Sequence, residues 1–198
     1  MVPIAGLWDT APAMHDFLIA LSTGFLLRWT LANVAGWSAG LYLGSALVGA
    51  LGGIGGALAG GVLAGAVVGA AQWIVLRTET QAAWANPRWA IASALGGGLA
   101  ILPAYIAGAA LIAGPQVGYF VVGGVYGGIF GALQGFLFRT QVDHMAVVWV
   151  TANLLAGGLC GCLTMTASLP GMPLICSPGP VVFGLVTGCA AQMLQRDS

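Results

Sequence analysis

The chain has 198 residues, five basic and five acidic side chains, and a formal net charge of zero. Charged residues make up 5% of it and apolar residues 59%, whereas an ordinary soluble domain carries roughly 25% charge. So few charges exclude a water-facing surface, and five arginines without a single lysine exclude the cation clusters that bind nucleic acid.

The first segment, 1–27, carries Asp9 and Asp16 and no basic residue before its apolar stretch. That is the reverse of a secretory signal, so no cleaved leader is expected. Phe17–Leu27 is too short to cross a bilayer, which takes ~20 residues. It is either a helix lying in the interface or an extension of the first span. From Arg28 onward the pattern predicts an all-α, six-span membrane domain over 28–198, with helices at 28–50, 57–77, 88–113, 117–139, 146–167 and 179–196. Charges are almost absent between Arg28 and Arg77, Arg88 and Arg139, and Thr140 and Arg196, where only Asp143 and His144 intervene before the last arginine.

Breaks fall at Gly52-Gly53 and Gly55-Gly56, at Gly114-Pro115, and along the proline-rich run from Pro170 to Pro180. Pro87 suits the first turn of the third helix with Asn86 as its cap, and Asp143 suits the N-cap of the fifth. Pro103, inside the third helix, predicts a kink or a partial break.

Two phrases recur. Trp29-Thr-Leu-Ala32-Asn33, Trp89-Ala-Ile-Ala92-Ser93 and Trp149-Val-Thr-Ala152-Asn153 stand 60 residues apart. Between them run Gly61/Gly65/Gly69…Gln72…Arg77, then Gly123/Gly127/Gly131…Gln134…Arg139, then Gly184/Gly188…Gln192…Arg196. Two phrases recurring together predict three tandem hairpins, about 28–77, 88–139 and 148–196. An even number of spans separates them, so they are parallel and pack most simply around a pseudo-threefold axis along the membrane normal. All five arginines fall at the ends that the termini share with the inter-repeat links. The positive-inside rule then places both termini in the cytoplasm.

Each residue class has an expected task. Glycines at i, i+4 and i+8 form one stripe of a helix and let backbones approach closely in lipid. Ala32, Gly36, Gly40, Ala92 and Gly96 offer a matching small face. Asn33, Ser93, Asn153, Gln72, Gln134 and Gln192 form a polar layer ~6–8 Å inside the cytoplasmic boundary at 1.5 Å per residue. They either bond across helices or ring the axis as donors and acceptors for a small neutral solute. Gln192 follows its glycine by four residues where the other two follow by three, which rotates its side chain about 100°. Trp29, Trp89, Trp149 and Trp73 are expected to sit as interface anchors. Arg28, Arg77, Arg88, Arg139 and Arg196 are expected to extend to lipid phosphates.

Cys160, Cys162, Cys176 and Cys189 have no zinc-ligand spacing and read as packing residues, although Cys176 can pair with one of the others. His15 and His144 lie at the boundary, and no paired carboxylates or serine-nucleophile motif occurs within the spans. No metal or catalytic site is therefore expected, and no cofactor beyond a bound lipid or pigment. The phrase Gly65-x-x-x-Gly69-x-x-Gln72-Trp73-x-x-Leu76-Arg77, followed by Trp89-x-x-Ala92-Ser93, resembles poorly characterised bacterial multi-pass proteins with tandem hairpins. That resemblance implies architecture and no activity. Two functions compete: a non-enzymatic accessory subunit packed against other membrane proteins or itself, and a channel for a small neutral solute or gas.

Overall fold

A helix that is apolar on every side cannot rest one face on water, so lipid must take the faces its neighbours leave uncovered. The computed structural model describes residues 24–79, 86–109, 114–137, 143–167 and 178–196, and every regular element among them is an α-helix. In chain order these are α1 (Gly24–Leu51), α2 (Gly53–Glu79), α3 (Arg88–Ala109), α4 (Pro115–Gly135), α5 (Asp143–Ala167) and α6 (Gly179–Arg196). The first five are long and apolar enough to cross a bilayer, which marks an integral membrane protein. The sixth helix is apolar but shorter than the other five. At 18 residues, α6 rises ~27 Å against a hydrocarbon core of ~30 Å.

Each helix packs on its sequence neighbours, and α6 packs on α1, so the six close into a ring. Large apolar side chains such as Tyr42, Tyr105, Ile54 and Val147 cover the outside.

The helix ends follow local chemistry. A single residue joins α1 to α2. Gly52 and Gly53 have φ of 65° and 55°, a left-handed conformation that a Cβ would strain. Gly52 N–H closes on Val48 O at 2.8 Å. Gly55 and Gly56, expected to extend this break, lie inside α2. Once the chain has reversed at Gly52, nothing in their backbone opposes helix. Asn86 caps α3 as expected, its Oδ1 accepting Arg88 N–H at 2.9 Å. Gly114 precedes α4, whose first residue is Pro115. Pro103 lies within a continuous α3 and makes no break. Residues 24–27 belong to α1, so that part of Phe17–Leu27 extends the first helix. The remainder lies outside the described residues, as do Cys176 and Arg139.

Candidate functional site: a buried amide and tryptophan layer

The glycine stripes set the geometry. Those of α2, α4 and α6 each lie on the following odd-numbered helix, not on the hairpin partner. A Cβ on Gly61 would meet Gly97 O at 2.6 Å, and one on Gly65 would overlap Ser93 O. Gly123 and Gly127 meet Gly157 O and Asn153 O in the same way. Gly184 lies against Thr30 Cα at 2.8 Å, and Gly188 against Trp29. The small face of α1 serves the other contact, within the hairpin: Gly36, Gly40 and Gly44 rest on Val68, Ala64 and Gly60 of α2. Gly96 likewise rests on Phe130 of α4. Helices α2 and α4 are thus held by backbone contact on both sides.

This approach brings the polar side chains together. Gln72 Nε2 donates to Asn33 Oδ1 at 2.9 Å. Gln72 Oε1 accepts from Trp89 Nε1 at 3.0 Å and from Gln134 Nε2 at 2.9 Å. Gln134 Nε2 also donates to Ser93 Oγ at 2.7 Å, and its Oε1 accepts Trp149 Nε1 at 3.1 Å. Asn33, Ser93 and Asn153 each donate to the carbonyl one turn back, on Trp29, Trp89 and Trp149. One connected network therefore links α1 to α5, and Asn33, Gln72, Ser93, Gln134 and Asn153 are all fully buried.

The third junction differs, and two expectations are corrected there. Gly69 lies on Ser93, Gly131 on Asn153 and Gly184 on Asn33. The counterpart of Gln72 and Gln134, three residues beyond each glycine, is therefore Thr187 and not Gln192. Thr187 Oγ1 accepts Trp29 Nε1 at 3.0 Å and donates to Phe183 O at 2.7 Å. Gln192 is half-buried and five residues further on, ~7.5 Å along the helix. The residue eight beyond Gly184 is Gln192, so Arg196 is not the counterpart of Arg77. A hydroxyl cannot reach as a glutamine amide does, and Asn153 Oδ1 is buried without a donor.

The second correction concerns the tryptophans. Trp29, Trp89 and Trp149 are at most 1% exposed and do not anchor at the lipid interface. Trp149 meets Trp89 edge-on at 5.4 Å and Trp29 at 6.1 Å between centroids. With Phe25, Leu76, Met145 and Leu194 they fill the interior at the end where Arg28, Arg77 and Arg88 are exposed. An indole has one N–H and a large apolar body, so it is equally suited to an interior that supplies an acceptor. Trp73 alone keeps the expected company, with Arg77 5.6 Å over its ring. Arg196 lies in α6, with its side chain outside the described atoms. Cys160 and Cys189 are free thiols, and Cys160 lies 3.9 Å from Thr164 Oγ1.

Beyond the polar layer a second aromatic layer, Trp37, Phe130 and Phe183 with Tyr126, crosses the interior. Past it is a cavity of about 440 Å³. Sequence reasoning missed Thr187 because threonine does not resemble glutamine. It missed Trp37 because that residue has no counterpart at the 60-residue period. Compared with known proteins, the chain matches no family model, no curated protein and no solved structure.

Proposed function

We propose that this chain is a non-enzymatic structural or accessory subunit of a larger membrane assembly. In this reading it is built of three tandem hairpins around a pseudo-threefold axis, with the arginine end and both termini cytoplasmic, in a bacterial inner membrane. The observation that supports it is the self-contained polar layer. The amides of Gln72 and Gln134 bond to each other, to neighbouring side chains and to indoles, which is how buried amides stabilise a fixed bundle. A solute-selecting ring needs the same groups aimed at open space. At that level three tryptophans pack together in the interior, which favours the structural reading over a channel.

The test is mild detergent extraction of a tagged chain followed by mass spectrometry. Stoichiometric co-purification of another membrane protein is expected. A chain that purifies alone, as monomer or homo-oligomer, overturns the accessory role. For the topology, cysteines placed at Arg77 and Arg139 in a cysteine-free background should label from the cytoplasmic face alone. Labelling from opposite faces would sink the hairpin arrangement.

A further inference from the structure

The amide and indole network ties α1 to α5, and α6 stands outside it. The cost of parting an even helix from the ring therefore differs. Without α2, Asn33 Oδ1 and the Trp89 N–H lose Gln72. Without α4, the Trp149 N–H loses Gln134, and Gln72 Oε1 and Ser93 Oγ each lose a donor. Without α6, the Trp29 N–H alone among these buried groups loses its partner. Thr187 keeps its bond to Phe183 O on its own helix. Asn153 Oδ1 has no donor even with α6 in place. Unpaired polar groups at membrane depth oppose the separation of helices, and α6 would leave the fewest.

Backbone approach differs in the same direction. Gly65 and Gly127 rest on the carbonyls of Ser93 and Asn153, and a Cβ on either would meet Gly97 or Gly157 Cα at 3.1 Å. At the same register α6 carries Pro180, four residues before Gly184, and α1 carries Trp37, four after Asn33. A pyrrolidine ring and an indole thus stand where the other junctions have a glycine pair. One turn nearer the arginines, a Cβ on Gly131 would meet Asn153 Cβ at 2.5 Å, whereas one on Gly184 would meet Asn33 Cβ at 3.2 Å. Aromatic packing takes over here, with Trp37 meeting Phe183 edge-on at 5.5 Å between centroids. An apolar side chain loses little by exchanging such a neighbour for a lipid tail, which is equally apolar. Toward α5, by contrast, α6 keeps a close approach at its start, where a Cβ on Gly179 would lie 2.7 Å from Cys160 O.

We propose that α6 is a swinging element, which parts from α1 about a pivot at Gly179 while α1 to α5 stay packed. The bond from Trp29 to Thr187 is its latch. Opening leaves a slot in the side of the ring between α1 and α5, facing lipid and bordered by the Trp29 N–H. The proposal stands independently of the accessory role, since a chain that purifies alone has the same latch.

The test uses the full chain in phosphatidylcholine nanodiscs, cysteine-free apart from pairs of spin-labelled positions. Leu31→Cys with Leu185→Cys reports on α1 and α6, and both positions are exposed. Thr151→Cys with Ala132→Cys, also exposed, is the register counterpart on α5 and α4. Spin–spin distance measurement should give two populations for the first pair and one for the second. Thr187→Val removes the latch and should raise the longer-distance population roughly 2- to 3-fold, leaving the second pair unchanged. Thr187→Ala replaces it if that variant misfolds. A single distance between α1 and α6 with and without the latch, equal broadening of both pairs, or no response to loss of the latch each overturns the proposal.

Discussion

The junctions that follow α2 and α4 use a glutamine where the junction that follows α6 uses a threonine, and the interior records the difference. Gln72 and Gln134 each bond to their own hairpin partner, to the next tryptophan and to one another. Thr187 reaches only Trp29 across the junction. It leaves Asn153 Oδ1 without a donor, on the side of the ring where α6 is also short. One side chain decides whether a junction carries a three-way knot or a single bond. The helices around it hold by backbone approach in either case.

The comparison can be broken most severely at that approach. Gly127→Leu should abolish the folded monomer, because its Cβ would overlap the Asn153 carbonyl and backbone cannot yield as a side chain does. Gly124→Ala, on the same helix, should be nearly silent, since its Cβ would meet nothing closer than Leu154 O at 3.5 Å. Size-exclusion profiles of fluorescent fusions would read both, and equal behaviour would refute close approach as the organising contact.

A smaller effect belongs to the amides. Gln134→Leu removes three bonds and should cost about 2 kcal/mol at ~0.6 kcal/mol per bond in a membrane. Thr187→Val loses the bond from Trp29 and should cost about 0.6 kcal/mol on the same scale. Thermal unfolding in one detergent would rank them, and a threonine effect as large as the glutamine effect would erase the distinction between junctions.

The smallest difference is the sharpest. Asn33→Leu takes the acceptor from Gln72 and should destabilise by about 1 kcal/mol. Asn153→Leu gives up the donation to Trp149 O but no bond at its oxygen, and should cost no more than about 0.6 kcal/mol. If Asn153→Leu proves the worse of the two in the same melting assay, that oxygen has a donor after all.

Much of this was readable from residue order, and the reasons are physical. Lipid penalises charge and unpaired backbone so strongly that apolar runs and arginine positions expose the helices directly. Glycine at four-residue spacing has few uses in a membrane other than contact. The third junction was misread because Gly184 and Gly188 both fit a stripe. A slip of four residues turns a helix by only about 40° beyond one full turn, so the wrong register kept nearly the right face and matched Arg196 to Arg77. Tryptophan was misplaced because its preference for interfaces reflects the need for one acceptor beside an apolar body, and Gln72 Oε1 meets that need inside the ring as well as a headgroup does.

The bond from Trp29 to Thr187 spans 158 residues of chain. During synthesis at ~5–20 residues per second, the first helix waits roughly 8–30 s after Trp29 is made before its closing partner exists. Through that interval its indole N–H and the surface destined for Gly184 and Gly188 are open to whatever else the nascent membrane offers. A holding factor, or a second nascent chain swapping its final helix into the vacancy, would find its opportunity at this seam and nowhere earlier along the ring.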